Sequence, residues 1–421
     1  MKRILGIILA IMMIASLAVT AMAEPNTELS GEISIWVWGD YEEKGAKDFN
    51  EYYPNIKVNY VFIAQDEYPT KLQSAIVSGL ELPDIALLEM TPRAMFLSYD
   101  VWEKLDAEPY NFNKEDYAAF GLPLISDPNG DIDCVQIDNC AGGYVYNREL
   151  ATKYFGTDDP EEMEAKLPDL DSLIAAADLL EDGEYLYAGV DDAFMVSFGL
   201  YTEEPLIVDN KLNLDAYYEA YKFCAALVEK EAVNMYMQWT PAWNSAFSQN
   251  NILFWPGPSW YIAFTLKAND PDAEAKYGLM SPPGGGYSWG GTAYAIPKAN
   301  SPEQKELAWT WIKWFTMSEE GNRCFVREQS TPTLYLPSYE TDMYENEGDP
   351  YFAGQDIVAK LLEIAQDPKT NVRPMTQYDQ MINEVNNQVL RDIEQGMSAD
   401  DAYAKLKTGC LEVLAQYGIT E

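Results

Sequence analysis

Eleven tryptophans and no histidine set the chemistry open to this chain of 421 residues. Without imidazole there is no ordinary general base at neutral pH, no Ser-His or Cys-His nucleophile, and few routes to a zinc site. The aromatics offer something else. Trp38 and Asp40 close the run GEISIWVWGD, and Glu89 closes the run DIALLE. Trp255 and Trp260 bracket Pro-Gly-Pro, and Trp289 sits between two glycine-rich pieces. Flat rings stack on apolar C–H faces, while Asp, Glu, Asn, Gln and Arg bond a rim of hydroxyls, and a sugar needs both. Asp40 and Glu89 also supply the residue types of a glycosidase carboxylate pair, although nothing beyond type marks them as one. Trp309, Trp311 and Trp314 are read as core, because Leu307, Trp311, Trp314 and Phe315 recur at i, i+4, i+7 and i+8.

The elements that position the first group follow from periodicity. Ile33, Ile35 and Val37 alternate with Ser34, Trp36 and Trp38, the period of a strand, and both faces are bulky, as in a parallel sheet. A helical pattern over 41–53 is stopped by Pro54, and a second strand is expected over 56–63. A second helix follows over 67–79, with Leu72, Ala75 and Ile76 on one face and Gly79 as its C-cap. After Pro83 a third strand ends at Glu89. That order, βαβαβ, gives a parallel sheet with helices outside it. Ligands of such sheets bind beyond the carboxyl ends of the strands, where Trp38, Asp40 and Glu89 fall.

Further on, Asn129-Gly130 reads as a hairpin turn; the spacing Asp127-Pro-Asn-Gly puts glycine too early for a calcium loop. A strand is expected over 132–137 and amphipathic helices over 169–180 and 214–230. Residues 281–291, SPPGGGYSWGG, cannot be regular structure. Ser301, Pro302 and Gln304 then give a capping signature, and three more helices are expected over 356–366, 377–395 and 398–416.

Lys2 and Arg3 precede an apolar run over 4–19, and Ala21-Met22-Ala23 supplies small residues for cleavage after Ala23. This reads as a signal peptide, with an uncleaved membrane anchor as the alternative. Formal charge is −40, and loss of Lys2 and Arg3 leaves 26 basic against 68 acidic residues, or −42. Such a field repels nucleic acid and anionic lipid. Five cysteines include no CxxC pair; Cys134 and Cys140 are close enough to bridge, and buried free thiols fit equally well.

The run YPTKLQSAIVSGLELPDI from Tyr68, AGGYVYNREL from Ala141, FWPGPSW from Phe254 and YGLMSPPGGGYSWGGTAYAIPK from Tyr277 form an ordered set. Together they resemble the extracellular solute-binding proteins that serve ABC-type carbohydrate importers. The resemblance implies a periplasmic-binding-protein-like fold: two α/β lobes, a multi-crossing hinge and a ligand cleft between them. It divides the chain into the signal peptide, 1–23, an N-terminal lobe, 24–138 plus 288–328, and a C-terminal lobe, 139–287 plus 329–421. Crossings are expected near 138–143, at 281–291 and at 327–337.

The implied function is capture of a sugar or oligosaccharide and its delivery to a membrane permease, by a monomer, without catalysis, cofactor or metal. By the "GPxW" match and the glycine-rich return, Trp260 and Trp289 lead the expected ligand contacts. Trp38, Asp40 and Glu89 follow, then Tyr144, Trp239, Trp243, Asp138, Arg327 and Arg373. The two arginines would suit a uronic-acid carboxylate. Many Gram-positive relatives carry a lipid-modified cysteine after the signal, whereas the first cysteine here is Cys134; the expectation is a soluble envelope or secreted protein. Two other functions compete. Acids plus aromatic plates also suit a polyamine or other organic cation through cation–π contacts, and the carboxylates suit a secreted glycosidase.

Overall fold

The computed structural model describes residues 26–421 except 128, 202, 203 and 371. The expected signal segment and its cleavage site lie outside the described residues. Strands β1 (Gly31–Val37) and β2 (Ile56–Phe62) run parallel, with Gly31 opposite Ile56 and Val37 opposite Phe62. Between them lies helix α1 (Tyr41–Tyr52), and α2 (Tyr68–Ser78) follows β2, ending on Gly79 at φ 63°. Strand β3 (Ala86–Glu89) joins β1 through a parallel bridge between Ile35 and Ile85, and α3 (Met90–Leu97) starts directly from it. The expected strand over 132–137 shortens to β4 (Val135–Gln136). Its first half is drawn into a separate antiparallel bridge between Ser126 and Ile132, across the Asn129-Gly130 turn.

A second sheet is antiparallel. Its middle strand β5 (Ala141–Asn147) pairs with β6 (Phe254–Pro258) on one edge. On the other edge lie β7 (Tyr277–Met280) and β8 (Tyr287–Ser288). Residues 281–291, read as irregular from sequence, thus contain a short strand. The chain then returns to the first sheet as β9 (Thr292–Ala295), antiparallel to both β3 and β4. The first sheet is therefore mixed, parallel in its β1–β3 part only.

Helices cover both sheets. On the second lobe α4 (Leu170–Ala176) is opened by an Asp169–Ser172 capping box. Next come α5 (Val190–Tyr201) and α6 (Asp215–Glu229), whose Tyr217, Tyr221 and Leu227 are fully buried. Against the first sheet lies α7 (Pro302–Met317), opened by the predicted Ser301–Gln304 capping box, then α8 (Glu319–Gln329). The C-terminal helices α9 (Ile357–Gln366), α10 (Asp379–Glu394) and α11 (Ala399–Leu414) return to the second lobe.

Each sheet has its own core. Ile33, Ile35, Leu87 and Leu88 pack with Trp102, Trp311, Trp314 and Phe315 in one. Tyr144, Tyr187, Tyr217, Tyr221 and Phe254 pack with Leu406 and Leu414 in the other, flanked by a cluster around Phe247, Trp243 and Trp255. Leu334 belongs to the first core, so chain beyond residue 328 still packs there. Between the cores three segments lie side by side. Asn139 N donates to Pro332 O at 2.8 Å, Leu334 N to Ile137 O at 2.9 Å, and Trp289 N to Cys140 O at 3.1 Å. All five cysteines are buried and free, so Cys134 and Cys140 are not bridged.

Candidate functional site

A cavity of about 290 Å³ opens between the two sheets. Met90 and Thr91 at the start of α3, with Leu124, line it from the first lobe. The second lobe contributes Asp191, Phe194 and Phe198 from α5, Gln238 and Trp239, the segment 287–289, Arg373, and a row on α10. That row, Asn383, Asn386, Asn387 and Leu390, follows the i, i+3, i+4, i+7 spacing of one helix face.

Trp239 is the prominent plate. It is 55% exposed, and its backbone sits at φ 67°. Its ring stacks on Trp260 with centroids 6.3 Å apart and planes 26° off, and it meets Trp243 at 5.1 Å and Trp289 at 6.2 Å. Two neighbouring carboxylates hold this segment. Asp192 Oδ1 accepts from the Gln238 side chain at 2.7 Å, and Asp191 Oδ2 accepts from Gln238 N at 3.4 Å. Burial pushes the Asp192 carboxyl up to about 7, with the donated bonds from Gln238 and Trp243 opposing the rise.

Trp289 lines the same cavity, half-buried. Trp260 lies beneath rather than on the wall: its Nε1 donates to Trp289 O at 2.7 Å, so it supports both other plates. Gly290 makes that approach possible. Its φ is 91°, and a Cβ there would stand 2.4 Å from Trp260 Nε1.

A smaller cavity of about 160 Å³ sits wholly in the first lobe, at the carboxyl ends of β1 and β3, and brings Trp38 and Glu89 together with Gln65 and Tyr68. Trp38 packs edge-on against Tyr68 at 4.7 Å. Glu89 caps α3 by accepting from Thr91 N at 2.9 Å, and burial raises its carboxyl against that bond.

Other expected contacts fall elsewhere. Tyr144 is fully buried, stacked on Phe254 at 4.7 Å and hydrogen-bonded to Tyr187, so it is core. Trp243 is likewise buried, donating Nε1 to Asp192 Oδ2 at 2.9 Å. Asp40 points to solvent and pairs with Lys44 at 3.1 Å. Arg327 pairs with Asp48 at 2.8 Å and Glu328 at 3.0 Å on the outside of the first lobe. Asp138 lies in a segment that crosses between the sheets, accepting from Thr292 N at 3.1 Å and from the Cys140 thiol at 3.2 Å. Arg373 does reach the cleft, but Asp379 already holds its guanidinium, which lies 5.8 Å over the Phe198 ring. Among the described residues, no free cation therefore waits there for a uronic acid.

Sequence reasoning missed Thr91, Asp191, Gln238 and the asparagine row. One signal was present: Asn386 occupies a position in the apolar stripe of Ile382, Val389 and Ile393, where an amide needs a reason.

The family of bacterial extracellular solute-binding proteins matches over residues 44–349. No match is found among the curated proteins. Among solved structures, an extracellular solute-binding protein of family 1 superposes with a TM-score of 0.80 at 17% identity, covering 90% of this chain and 99% of that one. The ABC-transporter-associated binding protein of B. animalis subsp. lactis, in complex with beta-1,6-galactobiose, gives 0.73 at 19% identity, covering 93% and 100%. The sugar-binding protein MalE of Xanthomonas citri gives 0.74 at 17%, covering 92% and 98%. At these identities the likeness establishes a shared fold.

Proposed function

The chain belongs to the bacterial extracellular solute-binding proteins, and we propose that it captures a sugar or short oligosaccharide in the interlobe cleft for an ABC-type importer. One observation carries this reading: Trp239 and Trp289 present ring surface to a cavity whose other wall is a row of neutral amides, with Thr91 facing it from the opposite lobe. Plates and hydroxyl partners are what a sugar needs. The volume of about 290 Å³ is at the lower edge for small-ligand pockets, which favours one or two rings. Two of the structural relatives are described as a galactobiose complex and a sugar-binding protein.

The two lobes, with the stretch around Leu334 packed in the first rather than the second, close about the three crossing segments, because the ligand gains contacts to both only when they approach. The sugar leaves unaltered and passes to a membrane permease. The protein acts outside the cytoplasm as a monomer, released by cleavage after Ala23. Among the described residues no helix is long and apolar enough to cross a membrane. An organic-cation ligand is not favoured: Asp191, the carboxylate lining the larger cavity, is already paired with Arg391 at 2.5 Å.

Thermal-shift screening of neutral mono- and disaccharides against spermidine tests this directly, followed by small-angle scattering with the best sugar. A sugar that raises Tm and shrinks the radius of gyration supports it. A shift with spermidine alone, or an unchanged radius at saturation, counts against it.

A further inference from the structure

The row of asparagines on α10 has its orientation set from behind. Tyr217 and Tyr221 lie on one face of α6, four residues apart, and both are fully buried. Tyr217 Oη donates to Asn383 Oδ1 at 3.1 Å, and Tyr221 Oη donates to Asn386 Oδ1 at 2.7 Å. A side-chain amide has one acceptor oxygen and two N–H donors. With each oxygen turned back toward a phenol, each NH₂ group turns forward, onto the face of α10 that lines the cleft. Among the described residues neither NH₂ group is given an acceptor. Asn386 is 3% exposed and lines the cavity, where an acceptor oxygen would meet its donors. Asn387 extends the same face outward.

We infer that Asn383 and Asn386, oriented by Tyr217 and Tyr221, form a donor wall that selects an uncharged polyhydroxyl ligand by its acceptor oxygens. This rests on the sugar-binding reading above and narrows it. The charges beside the wall agree: Arg373 is held by Asp379, and Asp191 by Arg391, which also pairs with Glu394. Among the described residues, a carboxylate ligand finds no unpaired guanidinium there. An ammonium ligand finds N–H groups pointing at it. A neutral sugar hydroxyl or ring oxygen, by contrast, accepts from the wall while its rings meet Trp239 and Trp289.

The test replaces donor and orienting group together by apolar groups of similar shape. Tyr221→Phe with Asn386→Leu leaves no orphaned partner, so the fold is expected to persist. Calorimetry would use glucose, galactose, maltose and galactobiose as neutral probes, with glucuronate and spermidine as charged ones. Wild type should prefer a neutral sugar, and the double variant should bind that sugar at least about tenfold more weakly, with apo Tm within a few degrees. Tyr221→Phe alone, which keeps the amide but frees it to turn, should lose a smaller factor and narrow the preference for neutral sugar over glucuronate.

If the double variant fails to fold, Tyr217→Phe with Asn383→Leu is read the same way. Full affinity in a folded double variant overturns the wall while leaving the sugar reading intact. Wild-type preference for glucuronate does the same. Binding of spermidine alone, or of no sugar in the panel, overturns the sugar reading and the wall with it.

Discussion

At Trp239 the backbone adopts φ 67°, a left-handed conformation rare for a bulky side chain and costing of order 1–3 kcal/mol. The ring gains little burial in return, being 55% exposed. What holds it is the neighbouring Gln238, whose amide is bonded to Asp192 and whose N–H is bonded to Asp191. Strain kept in place by buried Asp192 and by Asp191 at the cavity wall, with an open ring as its product, fits a plate presented to a ligand. An aromatic plate buries ~150–250 Å² when covered, several kcal/mol at ~25 cal/mol per Å² before binding costs are subtracted. Trp239→Ala should therefore weaken sugar binding at least about tenfold, or ~1.4 kcal/mol, and leave apo Tm nearly unchanged. Trp260→Ala should lower both affinity and Tm, since that ring supports Trp239 and the Trp289 carbonyl. Calorimetry and melting of the two variants separate the roles. Undiminished affinity in Trp239→Ala would remove this residue from the site.

Among elements, the pair α7 and α8 shows what the sequence stated plainly. Ser301 accepts from Gln304 N at 3.2 Å as a capping signature requires, and Trp311 and Trp314 are buried on the stripe that periodicity marked. Trp311→Ala should cost ~3–5 kcal/mol as a core cavity. Gly321 makes a subtler demand. A Cβ there would lie 2.1 Å from Trp314 O and 2.8 Å from Phe315 Cα, so Gly321→Ala must push the two helices apart. It should destabilise by more than ~1 kcal/mol, against the usual gain of alanine over glycine in a helix. Urea titration of both variants checks the two costs, and a stabilised Gly321→Ala would refute the close approach.

Local period and capping thus made α7, β1 and β2 readable, because each depends on neighbours in sequence. The asparagine row was not readable, because its meaning lies in Tyr217 and Tyr221, more than a hundred and sixty residues earlier. Tyr144 and Trp243 misled for a related reason: residue type is the same for a ring that stacks on sugar and a ring that fills a core. Arg327 and Asp40 misled because sequence does not show which charges already have partners. Trp289 and Trp239 were readable only as aromatics among Gly, Pro, Asn and Gln.

Over the whole molecule, charge and burial together fix how stability should depend on pH. Glu42 is fully buried near Tyr41, Tyr294 and Asp138, and burial raises its carboxyl to about 7, against hydrogen bonds that lower it. Asp192, buried among Gln238, Trp243 and Asp191, is raised to about 7 for the same reason. A carboxyl whose folded value exceeds its unfolded one binds protons more tightly in the folded state. The stability it contributes is complete below the unfolded value, near 4, and is lost as pH rises through about 7. Exposed Asp100 and Asp342 shift the other way, lowered by Lys298 and Arg323, so their contribution is lost only as pH falls below about 4. The two sets leave a maximum on the mildly acidic side. A net charge of −40 reinforces it, because self-repulsion grows as the remaining carboxyls ionise. Melting should therefore give a higher Tm near pH 5 than near pH 8, by at least about 2 °C. Salt separates the causes: at about 0.5 M the Debye length falls to a few ångströms, which screens surface repulsion but not a buried carboxylate. The part of the difference that survives salt should shrink in Glu42→Gln, which keeps the shape of the side chain and removes its proton. If Glu42→Gln leaves the salt-resistant difference unchanged, or if Tm rises toward pH 8, burial of this carboxyl is not what sets the acid preference.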